Sequence, residues 1–125
     1  MKRISFVLLL FSFTGIANCQ NDTIKASYNG NTDIREYVQR NVMYPPYAVE
    51  NGIDGTVFYS FKVTKEGCVD SILFRKTPHR SFNTEIQKVL LTTNCKWKPA
   101  YYKGRPVDVW IESKAVFIVQ WQSKA

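Results

Sequence analysis

The sequence predicts an α+β domain: a three-stranded antiparallel sheet with helices packed on one face and an extra helix on its N-terminal side. Three observations carry that prediction. Val57, Tyr59, Phe61 and Val63 alternate with mostly polar neighbours, as do Val107, Val109, Ile111, Ala115, Phe117 and Val119. Phe82, Ile86, Val89, Leu90 and Thr93 recur at helical spacing and form one apolar stripe that must lie on the sheet. Finally, 125 residues leave room for a single core.

In chain order, Met1-Lys2-Arg3, an apolar run from Ile4 to Ile16, and Ala17-Asn18-Cys19 read as a secretory signal over 1–19. The run is about 13 residues, short of the ~20 that span a bilayer. Two cleavages compete. Ala17-x-Cys19 suits ordinary signal peptidase, whereas Ile16-Ala17-Asn18-Cys19 resembles a lipobox that would make Cys19 the lipidated first residue. Residues 20–32, with their Asn-Asp and Asn-Gly pairs, read as a flexible leader, and the domain as 33–121.

Thr32 or Asp33 can cap a helix over 34–41, which Tyr44-Pro45-Pro46 ends. A short helix from Tyr47 stops at Gly52. A strand over 56–64, a turn at Lys65-Glu66-Gly67 and a returning strand over 68–76 form a hairpin. Ser81 can cap the helix from Phe82 to about Thr93, and Lys103-Gly104-Arg105-Pro106 makes a turn into a last strand, about Val107 to Trp121. That strand is the longest edge of the sheet and a ready rail for an added peptide.

Loss of Lys2 and Arg3 with the signal takes 17 basic residues to 15 against 10 acidic, and the net charge from +7 to +5. The excess favours acidic partners in the envelope. Nucleic acid does not fit an exported chain with no compact run of Lys and Arg. Cys68 and Cys95 remain as an even pair, either a disulfide or two buried thiols. A bond between them would be worth about 3.5 kcal/mol in the chain-entropy model.

No catalytic set, metal site or cofactor motif emerges, so the chain does not read as an enzyme. His79 is the only histidine and sits on an expected loop, and the carboxylates are scattered. Aromatic residues are the excess, at 14% of the chain, more than a core of this size holds. Those left at the surface favour an interface.

Tyr44-Pro45, Ala48, Gly52-Ile53, Gly55-Thr56-Val57, Phe61, Val63, Gly67, Val69, Trp97-x-Pro99-Ala100, Gly104 and Pro106-Val107 together resemble the C-terminal domain of TonB-family proteins. The resemblance covers about Asp33 to Val119. It implies a three-stranded antiparallel sheet, a periplasmic location, and a non-enzymatic domain that grips the N-terminal peptide of an outer-membrane transporter, or another envelope protein. On this chain the grip would correspond to Met43, Tyr44 and Pro45 together with Trp110, Ile111, Glu112, Ser113, Lys114 and Ala115. Strand exchange at that edge would give a homodimer, and any membrane attachment would come only through lipidation.

Two departures set this chain apart from an energy transducer of that family. Residues 20–33 reach at most ~50 Å when fully extended, too little for an arm across the periplasm. Met43 also stands where transducers often carry a polar residue such as Gln. The expectation is a stand-alone exported domain that binds protein or peptide by strand addition and is linked to outer-membrane transport. An envelope-structural or cell-wall-associated module is the alternative.

Overall fold

A computed structural model describes residues 22–119. The expected signal, Cys19 and Trp121 lie outside the described residues. The elements run β1 (Thr23–Ile24), α1 (Arg35–Asn41), α2 (Pro46–Glu50), β2 (Gly55–Val63), β3 (Val69–Lys76), α3 (Arg80–Leu91), β4 (Ala100–Tyr102), β5 (Arg105–Val107) and β6 (Val109–Phe117). The main sheet has the order β3-β2-β6 and is antiparallel throughout. A second small sheet, β1-β4-β5, accompanies it.

β2 is central because its alternation is the cleanest in the chain. Val57, Tyr59, Phe61 and Val63 are fully buried. The α3 stripe of Phe82, Ile86, Val89 and Leu90 covers that face, and Ile34 and Val38 bring α1 onto the same core. Phe82 stacks on Phe117 with ring centroids 4.2 Å apart, so helix and last strand meet through aromatic faces. Trp97 packs on Phe61 at 5.6 Å, and its indole N–H donates to Thr93 Oγ1 at 2.9 Å. The Trp97 amide also donates to the Gly67 carbonyl at 3.1 Å. Gly67 has φ +84°, and a Cβ there would overlap the Trp97 carbonyl oxygen, so the turn and the loop after α3 can close only around glycine. Cys68 and Cys95 are joined beside this contact, with an S–S distance of 2.04 Å.

Three expectations change. The leader is packed from Asp22 onward: β1 pairs with β4, Ser27 and Lys98 exchange backbone hydrogen bonds at 3.0 and 2.8 Å, and Ala26 is buried. The alternation of Ile24, Ala26 and Tyr28 is too short to register among the polar pairs around it. Tyr28 nevertheless reaches Tyr37 at 5.2 Å and Trp97 at 5.8 Å. Second, the last strand is divided at Asp108, whose Oδ1 accepts the Lys65 N–H at 2.8 Å. The segment before it folds back on β4 through Lys103 and Gly104, whose φ values of +52° and +80° suit a tight hairpin. Third, α3 begins at Arg80 and is capped by His79, whose Nδ1 accepts the Ser81 N–H at 3.1 Å. Imidazole takes the role expected of the Ser81 hydroxyl because Ser81 already lies inside the first turn.

Candidate functional site

β6 lies at one edge of the main sheet, in unbroken register with β2 from Val109↔Val63 to Phe117↔Gly55. In an antiparallel pair, backbone groups of successive residues point alternately to the partner and away from it. The phase is set by Val116. Its N–H donates to Gln39 Oε1 at 3.0 Å and its carbonyl accepts from Gln39 Nε2 at 2.7 Å, so Val116 faces away from β2. Trp110, Glu112 and Lys114 share that phase. Among the described residues, no hydrogen bond from another segment reaches their backbone groups.

Opposite this edge run Lys25, Thr32 and the start of α1. Asp33 Oδ1 accepts the Arg35 N–H at 2.9 Å, and its other oxygen pairs with the Arg35 guanidinium at 3.0 Å. The backbone hydrogen bond from Arg35 is the main reason the Asp33 carboxyl sits below its usual pKa of 3.8. Asp33 thus supplies the capping bond expected of it from two residues before the helix begins, since Ile34 at the N-cap has no side-chain acceptor. Between this wall and β6 lies a cleft of about 560 Å³. It shares Lys25, Thr32 and Ile111 with a second cleft of about 320 Å³, where Ile24, Ala26, Ala100, Val109 and Trp110 make an apolar lining. On the outer face of the sheet, Arg75 approaches Glu112 at 3.5 Å and Lys62 lies 6.0 Å from the Trp110 ring centre.

The expected site residues separate into two groups. Trp110, half exposed at 50%, and the exposed Glu112 and Lys114 offer both backbone and side chain to the cleft. Ile111 and Ser113 line it with side chains only, since their backbone groups pair with β2. Ala115 is fully buried opposite Val57 and offers nothing to the edge. Among the described residues, Ser113 Oγ has no hydrogen-bond partner, and neither does the buried Tyr59 hydroxyl on the strand beside it. Burial pushes the Tyr59 pKa above its ordinary value, while the Ser113 hydroxyl pulls the other way.

Met43, Tyr44 and Pro45 are elsewhere. Met43 is 71% exposed but borders a different cleft, with Tyr37, Glu85, Lys88 and Thr92. The Tyr44 hydroxyl donates to the Ile53 carbonyl at 2.5 Å, and its ring meets Phe82 and Phe117 edge-on at 5.8 and 5.5 Å. Pro45 is buried. This dipeptide joins α2 to the core. The structure does not bring it to the β6 cleft. Conversely, Gln39 and Lys25 escape sequence reading, because a lone polar residue on a short helix or in a polar leader carries no signal of its own, and Asp33 is read there only as a helix cap.

The sequence pattern of the Gram-negative bacterial TonB protein C-terminal family matches residues 40–119. Among solved structures, the chain is similar to the Helicobacter pylori TonB C-terminal domain, residues 194–285, with 18% identity and a TM-score of 0.51 over 70% of this chain and 90% of that one. It is also similar to the Pseudomonas aeruginosa TonB C-terminal domain, with 23% identity and a TM-score of 0.47 over 74% of this chain and 92% of that one. No curated protein is significantly similar in sequence. At these identities the structural likeness bears on the fold, whereas the family pattern covers more than half of the chain. The protein therefore belongs to the TonB C-terminal domain family, whose members are non-enzymatic interaction domains of the Gram-negative envelope.

Proposed function

We propose that this chain is a periplasmic interaction domain that takes an extended peptide as an added strand along β6, paired with Trp110, Glu112 and Lys114. The observation that carries this reading is the regular outer edge of β6, whose three outward residues have no backbone partner among the described residues. Strand addition satisfies such groups in pairs, and side-chain clefts then set the choice of partner. The apolar cleft beside Trp110 suits a bulky aliphatic or aromatic side chain. The stretch between Asp33-Arg35 and Glu112-Lys114 carries both signs of charge and suits a polar one.

The partner is an N-terminal segment of an outer-membrane transporter, or another envelope protein that presents a free strand. Ala115 drops out of the proposed contact set, and Met43, Tyr44 and Pro45 act through the core or at a separate surface. Membrane attachment, where it occurs, is through Cys19. Mass analysis of the mature N-terminus reads this directly, as either a lipidated Cys19 or a free Gln20.

Titration of the domain with transporter N-terminal peptides, followed by amide chemical shifts, tests the function. Shifts at Trp110, Glu112 and Lys114 support it. A response confined to the surface around Met43 would sink it.

A further inference from the structure

β6 is closed at one end by a side chain. Gln39 lies on α1, whose rotation is held by fully buried Val38 and by the Tyr37 hydroxyl, 3.0 Å from Thr92 Oγ1. The carboxamide meets both polar groups of Val116, accepting at 3.0 Å and donating at 2.7 Å, as the backbone of a neighbouring strand would. Its orientation is fixed by this pairing, since the flipped amide would set nitrogen against the Val116 N–H. Gln39 also lies one residue before the segment that matches the family pattern.

We propose that Gln39 is a register stop: it occupies the β6 edge at Val116, so that an added strand pairs with Trp110, Glu112 and Lys114 and ends there. Gln39 is thus a specificity-determining residue that acts by occupying a backbone site. It limits the length of strand the edge accepts, and it keeps the last pair of edge groups from templating a second chain. The inference rests on strand addition at β6 and adds to it where that addition ends. Glutamine suits the task because its amide matches the donor and acceptor of a peptide unit. Glutamate, when ionised, would set an acceptor against the Val116 carbonyl.

The test has two arms, on the wild-type domain and the Gln39→Ala and Gln39→Glu variants. Without peptide, Val116 amide protection is read by hydrogen exchange at neutral pH. The expected loss is roughly fivefold in Gln39→Ala, the factor that one net hydrogen bond represents, and smaller in Gln39→Glu, whose carboxylate still accepts the Val116 N–H while facing its carbonyl, with Trp110 and core amides unchanged. Equal protection in all three proteins would overturn the closure. With peptide, a transporter N-terminal segment long enough to span Trp110 to Lys114 is compared with one two residues longer. Wild type is expected to bind both alike with the Val116 amide unshifted, and Gln39→Ala to favour the longer one and shift Val116. A wild-type footprint that includes Val116 would overturn the register stop. Silence of β6 toward every peptide, with Val116 protection still lost in Gln39→Ala, would overturn strand addition and the register stop while supporting the closure itself.

Discussion

The two edges of the main sheet differ in almost every feature that bears on pairing. β3 slips in register against β2 between Phe58 and Tyr59 and again between Phe61 and Lys62, and Ser71 sits at φ +69°. Asp70, Arg75 and Lys76 stud it with charge, its first N–H donates to Asn94 Oδ1 at 2.9 Å, and the Cys68–Cys95 bond holds its start. Bulges, charges and anchors of this kind are how proteins protect an edge. β6 has none of the irregularity: nine residues pair with β2 without a break, it carries charge at Glu112 and Lys114, and one side chain closes its backbone edge, at Val116. The contrast teaches that an open edge gains meaning from the other edge of the same sheet. One edge heavily protected and the other left regular is the arrangement that the proposed strand addition at β6 requires.

The largest expected effect belongs to the protected edge. Replacing Cys68 and Cys95 by serine removes a constraint across 27 residues and should cost about 3.5 kcal/mol in the chain-entropy model. Denaturant unfolding measures it, and the peptide response of β6 in the folded variant should be unchanged. A double serine variant that keeps its stability but loses β6 binding would mean the two edges are not independent. Next comes Glu112→Pro, which deletes an outward N–H and puts a ring on the rail. Peptide affinity should fall about tenfold or more, with about 1–2 kcal/mol lost in stability. Ser113→Pro is the matched control, because it deletes a bond to β2. It should unfold the sheet, and equal stability of the two proline variants would break the assigned phase of β6.

How much of this was legible in the sequence follows from the range of the signals. β2 and α3 were readable because each buries a full periodic stripe, Val57 to Val63 and Phe82 to Leu90, which no local interaction disguises. The phase of β6 was readable too, yet its division at Asp108 was not, because the cause is a hydrogen bond from Lys65 more than 40 residues away. The packed leader was missed for a similar reason. Thr23 and Ile24 are strand only because Tyr101 and Tyr102 lie beside them. At the site, family resemblance named one run of β6 but could not separate outward Glu112 from inward Ala115. That distinction depends on hydrogen-bond phase, which Gln39 reveals through a contact across 77 positions.

A smaller effect is expected at Tyr59, beneath the cleft. Its hydroxyl is buried with no partner among the described residues, so Tyr59→Phe should leave the fold intact and raise stability by about 1 kcal/mol at neutral pH. The raised pKa adds a pH signature. Stability from the neutral phenol is fully present below the unfolded value of 10.0 and declines as pH rises from there through the folded value. The wild type should therefore lose stability above pH 10 relative to Tyr59→Phe. Alkaline thermal melts of the two proteins check it. A destabilised Tyr59→Phe would instead mean that the hydroxyl has a partner, such as an ordered water on Ser113.

The smallest expected effect lies at Asp33 and links acid titration to the edge. Its carboxylate accepts the Arg35 N–H and is 59% exposed, so little global stability depends on it. Because the folded pKa is lowered, the contribution is present above the unfolded value of 3.8 and is lost as pH falls through the folded value. What loosens is the start of α1, the helix that aims Gln39 at Val116. Hydrogen-exchange protection at Val116 should therefore fall below about pH 4, while β3 amides held by the disulfide keep theirs. Asp33→Asn retains an oxygen for the Arg35 N–H and abolishes the titration, so it should flatten the acid response. A Val116 protection profile that falls equally in wild type and Asp33→Asn would show that the Asp33 carboxylate does not hold the start of α1.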